Sequence, residues 1–210
     1  MNLWSNVLEA GPIMWLLLFC SVIAVFIFIG KWFQFHRNQV NVKELVGGLI
    51  NVLTRNGMIE ALTLCDNTPG PVARILTAGI QAHHDGDDIQ HAIDDAVLVE
   101  LPRLESNLSI LGTIAKVAPM LGLLGAVLNM YTAAGKISQQ GVQMDALFNS
   151  LTPAILTTAA GLALAIPCLI AYNYLVARVE TFCIEMEKAS SEIIYFFERK
   201  DAKNGSETQS

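Results

Sequence analysis

Within three long apolar runs, the side chains able to do chemistry are a few threonines and asparagines. Thr113 lies at an edge, followed by Asn129, Thr132, Thr152, Thr157, Thr158 and Asn173. A hydroxyl or carboxamide can line a polar path or help to ligate a cation, but neither holds a mobile proton at ordinary pH. In an apolar helix such groups commonly bond a carbonyl one turn back or a neighbouring helix, and that is the plain reading of each. Thr157 and Thr158 stand out by their company. They sit near the middle of the third run, beside Gly161, one turn into a helix opened by Pro153 and interrupted by Pro167. The ring of Pro167 removes a backbone hydrogen bond and leaves a carbonyl near Ala163 needing a partner.

Other chemistry has little footing. His36, His83, His84 and His91 suggest a metal, and "HHDGDDIQH" mixes ligand types. A helix start between His84 and His91 makes a solvated loop and cap the better account. Cys20, Cys65, Cys168 and Cys183 lack paired spacing, so no disulfide framework is expected. There is no phosphate-binding loop, no nucleophile triad that topology would assemble and no CxxC. The expectation is a protein that is no enzyme and holds no metal or cofactor.

The elements that position these residues follow from composition. The chain is 53% hydrophobic and 15% charged, too apolar for an ordinary soluble domain. The first run, "PIMWLLLFCSVIAVFIFIG", has no charge between Glu9 and Lys31; the second covers Val117 to Gly135 and the third Ala146 to Ala177. Each exceeds or approaches the ~20 residues that cross a bilayer core as a helix. No basic residue precedes the first run, so it reads as a retained anchor rather than a signal peptide.

Of the 13 Lys and Arg residues, none lies in 1–30 and only Lys136 lies between Gly135 and Ala177. The positive-inside rule therefore puts the N-terminus outside and both 37–115 and the C-terminal tail in the cytoplasm. The expected organisation is a short outer interfacial segment (1–12), a first span (13–33), a cytoplasmic helical region (34–115) and a second span (116–135). An outer loop (136–146), a third span (147–177), a cytoplasmic C-terminal helix (178–200) and a disordered tail (201–210) follow. Region 37–112 carries five Lys/Arg against ten Asp/Glu, which argues against nucleic acid.

Pro71 suits the first position of a helix "VARILTAGI", and Asp87 with Gln90 resembles a capping box. From Asp87 one helix is expected to run to Gly135, with Pro102 kinking it. Val97, Leu101, Leu104, Leu108 and Leu111 alternate steps of four and three, and the count continues onto Ala115, Ala118, Gly122, Gly125 and Asn129. Thr158, Leu162, Ala165, Leu169, Tyr172, Val176, Val179, Cys183, Met186, Ser190, Ile193 and Phe197 keep the same rhythm. Helices over 87–135 and 147–198 would each be roughly 75 Å long. Sustained seams of this kind call for packing against other helices, and more surface than one chain covers suggests copies around an axis. Ala118, Gly122 and Ala126, like Thr157, Gly161 and Ala165, form small-xxx-small ladders that let backbones approach; tight packing alone would explain them.

These residues resemble the ExbB/TolQ branch of the MotA/TolQ/ExbB proton-channel family. "NLSILGTIAKVAPMLGLLGAVLNMYTAAG" is similar to its second span, built on Ala-Pro and then Gly-Leu-Leu-Gly-Thr-Val. "LTPAILTTAAGLALAIPCLIAYNYL" is similar to its third span, and "PGPVARILTAGI" to its cytoplasmic segment. Three spans rather than four favour ExbB/TolQ over the flagellar branch. The resemblance implies an all-α membrane protein with two spans extending far into the cytoplasm as a helical bundle, assembled as a homopentamer around a central pore in the bacterial inner membrane. It implies two partners: an ExbD/TolR-like single-span protein with a membrane aspartate, and a TonB/TolA-like protein across the periplasm. With no carboxylate in this chain's spans, the titratable group is expected from the partner.

Residue by residue, the resemblance makes Thr158 the polar lining that faces that aspartate, and makes Pro119, Gly122, Gly125, Gly161 and Pro167 the framework, with Ala165 in the ladder. Ala126 stands where the family has threonine, Pro153 where it commonly has glutamate, and Asn129 where it has glycine. Thr157 or Asn129 is expected to replace the hydroxyl missing at 126. Two other readings stay open: a non-conducting scaffold working through its cytoplasmic helices, and a sodium-driven stator.

Overall fold

The computed structural model describes residues 12–38, 41–55, 57–140 and 144–207, the side chains of 136–140, 144–150 and 203–207 excepted. The interfacial segment expected for 1–12 therefore lies, but for Pro12, outside the described residues. The regular elements among the described residues are all helices: α1 Pro12–Arg37, α2 Val42–Thr54, α3 Met58–Asp66, α4 Pro71–Asp85, α5 Ile89–Glu105, α6 Leu108–Gln140 and α7 Met144–Glu207. Among the described residues, three helices are long and apolar enough to cross a membrane. The chain divides into two compact units, one joining residues up to Lys31 with Asn107–Leu175, the other joining Trp32–Ser106 with the chain from Val176 onward.

The first unit contains the start of α1, α6 and the first part of α7. Leu17, Ala118 and Ala165 form its buried cluster, with Ile13, Leu121, Ala160 and Leu164 against it. Outside that seam α1 is lined by large exposed apolar groups, Phe19 at 62% and Phe26 at 80%. Water would penalise such a surface heavily, whereas lipid solvates it.

The second unit is built on ordinary amphipathic helices. Leu45, Val46, Leu49 and Leu53 of α2, and Ile75, Leu76 and Ile80 of α4, face inward. Pro71 opens α4 as expected, and Gly86 at φ 81° closes it in the left-handed conformation. At Gly79 an added Cβ would lie 2.8 Å from Ile93 Cδ1, so the glycine admits α5 against α4. From α7, Val179, Met186, Ser190, Ile193 and Phe197 are buried, on the expected seam.

Several expectations are corrected. The helix does not run unbroken from Asp87 to Gly135. It passes Pro102, stops at Glu105 and restarts at Leu108. Asn107 sits at φ 65°, a conformation Asn tolerates better than other side-chain-bearing residues, and Ser106 Oγ donates to the Arg103 carbonyl at 2.9 Å. The cap of α5 is Asp88 rather than Asp87, its carboxylate accepting from the backbone of Gln90 (2.9 Å) and His91 (3.3 Å). Pro153 lies inside α7 rather than opening it, and α7 runs to Glu207, into the stretch expected to be a tail. Helix also enters the expected 136–146 loop from both sides, to Gln140 and from Met144.

Candidate ion-path site

The site is the contact between α6 and α7, and it exists because both helices lack side chains where they meet. A Cβ on Gly161 would lie 2.6 Å from the Ala118 carbonyl oxygen and 2.9 Å from Gly122 Cα. A Cβ on Gly122 would lie 3.0 Å from the Thr157 carbonyl oxygen, and one on Gly125 would lie 2.5 Å from Thr157 Cγ2. The ladders read in the sequence thus interlock, and the bare faces of Gly122, Gly125 and Gly161 are consumed within one chain. Gly122 and Gly161 turn toward each other, and Gly125 turns toward Thr157.

Thr157 is fully buried in this contact. Its hydroxyl donates to the Pro153 carbonyl and accepts from Asn129 Nδ2 at 3.0 Å. A hydroxyl has one proton, and here it goes to Pro153, so Asn129 must present N–H rather than its oxygen. Asn129 is half-buried, and its backbone carbonyl accepts from Thr132 Oγ1 at 2.9 Å. Among the described residues, its second N–H and its Oδ1 meet no partner.

Thr158, one residue on, is half-buried. Its hydroxyl lies 3.2 Å from the Ala154 carbonyl and 3.5 Å from that of Gly122, the second marginal as a bond. Its proton is therefore committed to backbone, and its lone pairs stay available as acceptors. Ala126 and Ala165 are buried, Pro119 and Pro153 half-buried, and Pro167 exposed. The structure thus brings Asn129, Thr157 and Pro153 together in one hydrogen-bonded chain and puts Thr158 on the adjoining face.

The buried face of α7 in this unit is Ala154, Thr157, Gly161, Ala165, Cys168 and Leu175, while Leu162 and Leu169 are exposed. The seam expected through Thr158, Leu162 and Leu169 is therefore off by about one residue. The histidines form no ligand set: His83 stacks on Phe197 with ring centroids 4.0 Å apart, and His84 Nδ1 lies 3.0 Å from Asp85. No metal-binding group of three ligands occurs among the described residues. Sequence reasoning missed one feature of the other unit, a buried Glu100 held by Arg74 at 2.5 Å and Arg103 at 2.6 Å. A glutamate at a position otherwise facing the core was the available signal.

Three apolar helices, two of them locked through glycine around an uncharged polar chain, define a multi-span α-helical membrane protein. The chain belongs to the MotA/TolQ/ExbB proton channel family, whose sequence profile matches residues 67–188. It is 27% identical over 190 residues to an ExbB homolog of biopolymer-transport type from Methanothermobacter thermautotrophicus, covering 85% of this chain and 66% of that one. It is 33% identical over 106 residues to the biopolymer transport protein ExbB of Xanthomonas campestris, covering 47% of this chain and 42% of that one. It is 22% identical over 176 residues to the ExbB of Neisseria meningitidis, covering 76% and 79%. The chain thus spans less than two thirds of the first two relatives. An ExbB-like membrane protein of biopolymer-transport type is the class these matches define.

Proposed function

We propose that the chain is the stator subunit of a proton-driven motor in the bacterial inner membrane, working as a homopentamer around an ExbD/TolR-like single-span partner. Its N-terminus is periplasmic and its C-terminus cytoplasmic. Proton flow turns one component against the other and performs work on a TonB/TolA-like protein. The observation that carries this reading is a mismatch inside the family membership. The chain places polar hydroxyl and amide groups at membrane depth, yet Val117–Gly135 and Leu147–Ala177 contain no Asp, Glu, His, Lys or Arg. Proton coupling needs a titratable group in the membrane, so the acid comes from another polypeptide.

In this reading Thr158 faces the partner's carboxyl, since its lone pairs are available while those of Thr157 lie shut between helices. Proton flux into liposomes holding the chain and the ExbD-like protein of the same genome tests it. Flux that requires both proteins, stops when the partner's membrane aspartate is made asparagine and stops with Thr158→Val is the expected result. A complex that assembles but conducts nothing would favour the scaffold reading. Flux that needs sodium rather than a proton gradient would favour the sodium-driven one.

A further inference from the structure

The hydrogen-bond inventory of the site assigns different chemistry to its three polar side chains. Thr157 has no capacity left that a guest could reach: its proton goes to Pro153, its oxygen accepts from Asn129, and it is fully buried against Gly125. Thr158 has directed its proton to backbone carbonyls and can only accept. Among the described residues, Asn129 keeps both an N–H and a carbonyl oxygen after binding Thr157. Of the three, it alone can donate a hydrogen bond to an incoming group.

A carboxyl group that exchanges a proton presents two faces in turn. Protonated, it donates one hydrogen bond and finds an acceptor in Thr158. Ionised, it only accepts, and in a low-dielectric site an ionised carboxylate without a donor is strongly disfavoured. We propose that Asn129 is the residue that meets the ionised carboxyl of the inserted helix, its free amide N–H setting the pH at which that carboxyl releases its proton. The bond to Thr157 fixes the amide's orientation, so that the N–H is presented without reorganisation. This rests on the stator reading above, because the carboxyl belongs to the partner.

The experiment measures partner-dependent proton flux against pH, in liposomes holding the whole chain and the ExbD-like protein of the same genome. Asn129→Leu and Asn129→Ala remove the donor, Asn129→Gln retains an amide, and Thr157→Val breaks the supporting bond while leaving Asn129's amide in place. Losing a hydrogen bond to the ionised form raises a carboxyl pKa, so the Leu and Ala variants should move the flux midpoint up by about one pH unit. Asn129→Gln should recover part of that shift, and Thr157→Val, which frees the amide to reorient but keeps its N–H, should raise the midpoint by clearly less than the Leu and Ala variants do. If wild-type flux is present but both Asn129 variants keep its midpoint, the assignment is overturned. The same holds if Thr157→Val moves the midpoint as far as they do, or if both Asn129 variants fail to assemble while Thr157→Val assembles. Absence of any wild-type flux instead overturns the stator reading, and this assignment with it.

Discussion

Gly161 and Gly122 meet backbone to backbone, with 2.9 Å between Gly122 Cα and the place where a Gly161 Cβ would stand. Nothing flexible lies there to yield, since the obstructing atoms are the Ala118 carbonyl and the Gly122 main chain. Gly161→Ala should therefore push α6 and α7 apart and cost about 1–3 kcal/mol. Gly135→Ala, where a Cβ meets nothing within 4 Å, should cost little and supplies the control. Thermal unfolding of the two variants in detergent checks this, and equal melting temperatures would refute the interlocked contact.

Glu100 is 4% exposed at its side chain, while the two arginines that hold it, Arg74 and Arg103, are 50% and 63% exposed. The asymmetry predicts which deletion is worse. Removing the carboxylate leaves two guanidinium groups that water can solvate, whereas removing both arginines strands a buried charge. Either arginine alone can serve as counter-ion, so Arg74→Ala and Arg103→Ala should each cost about 1 kcal/mol or less. Together they should cost clearly more than their sum, of the order of 3 kcal/mol. A double-mutant cycle by chemical denaturation measures the coupling, and simple additivity would count against the shared clamp.

The α6 side of the contact was legible because small residues at steps of three and four have few uses in a membrane helix. Leu108, Leu111, Ala115, Ala118, Gly122 and Gly125 are buried as that pattern requires. On α7 the ladder Thr157, Gly161 and Ala165 was equally legible, whereas the longer seam through Thr158, Leu162 and Leu169 lies about one residue off for a geometric reason. A seam joining Thr158 to Phe197 in alternating steps of four and three repeats every 3.5 residues, whereas a straight helix turns in 3.6. At ~20° of drift per heptad, the error between Phe197 and Thr158 grows to roughly 110°, about one residue's rotation. The face therefore passes through Thr157, and the threonine expected beside the pore adjoins the one buried in the contact. The break at Ser106-Asn107 was hidden differently. Leucines at 104, 108 and 111 keep helical spacing straight across it, because two short turns can preserve register while the backbone leaves the helix.

Cys65 lies buried in α3, and its thiol is pushed up to about 11: burial disfavours the thiolate, a hydrogen bond with Thr77 partly offsets this, and the charge of Asp66 adds to it. A raised thiol pKa means that thiolate is scarce until the pH approaches it, and thiolate is the nucleophile. At pH 8 only about one Cys65 in a thousand would be ionised. Iodoacetamide should modify it at least tenfold more slowly than a cysteine placed by Ile59→Cys, an exposed site on the same helix. The Cys65 rate should climb steeply between pH 8 and pH 10. Mass spectrometry of the alkylated chain reads both rates, and comparable labelling at pH 8 would contradict the buried placement.

Asn107 carries the turn between α5 and α6 at φ 65°, the one positive φ among the described non-glycine residues. The conformation costs an ordinary L-residue about 1–2 kcal/mol, less for Asn, and nothing for Gly. It is worst for a β-branched side chain, which crowds the following carbonyl. Asn107→Gly should therefore keep or slightly raise stability, while Asn107→Val lowers it by about 1 kcal/mol or more. An unbroken helix from Asp87 onward would reverse that order, because glycine is the poorer helix former and valine would gain a regular turn. Thermal melts of the two variants followed by circular dichroism thus separate a turn from a continuous helix. Val above Gly in melting temperature would establish that α5 and α6 are one element.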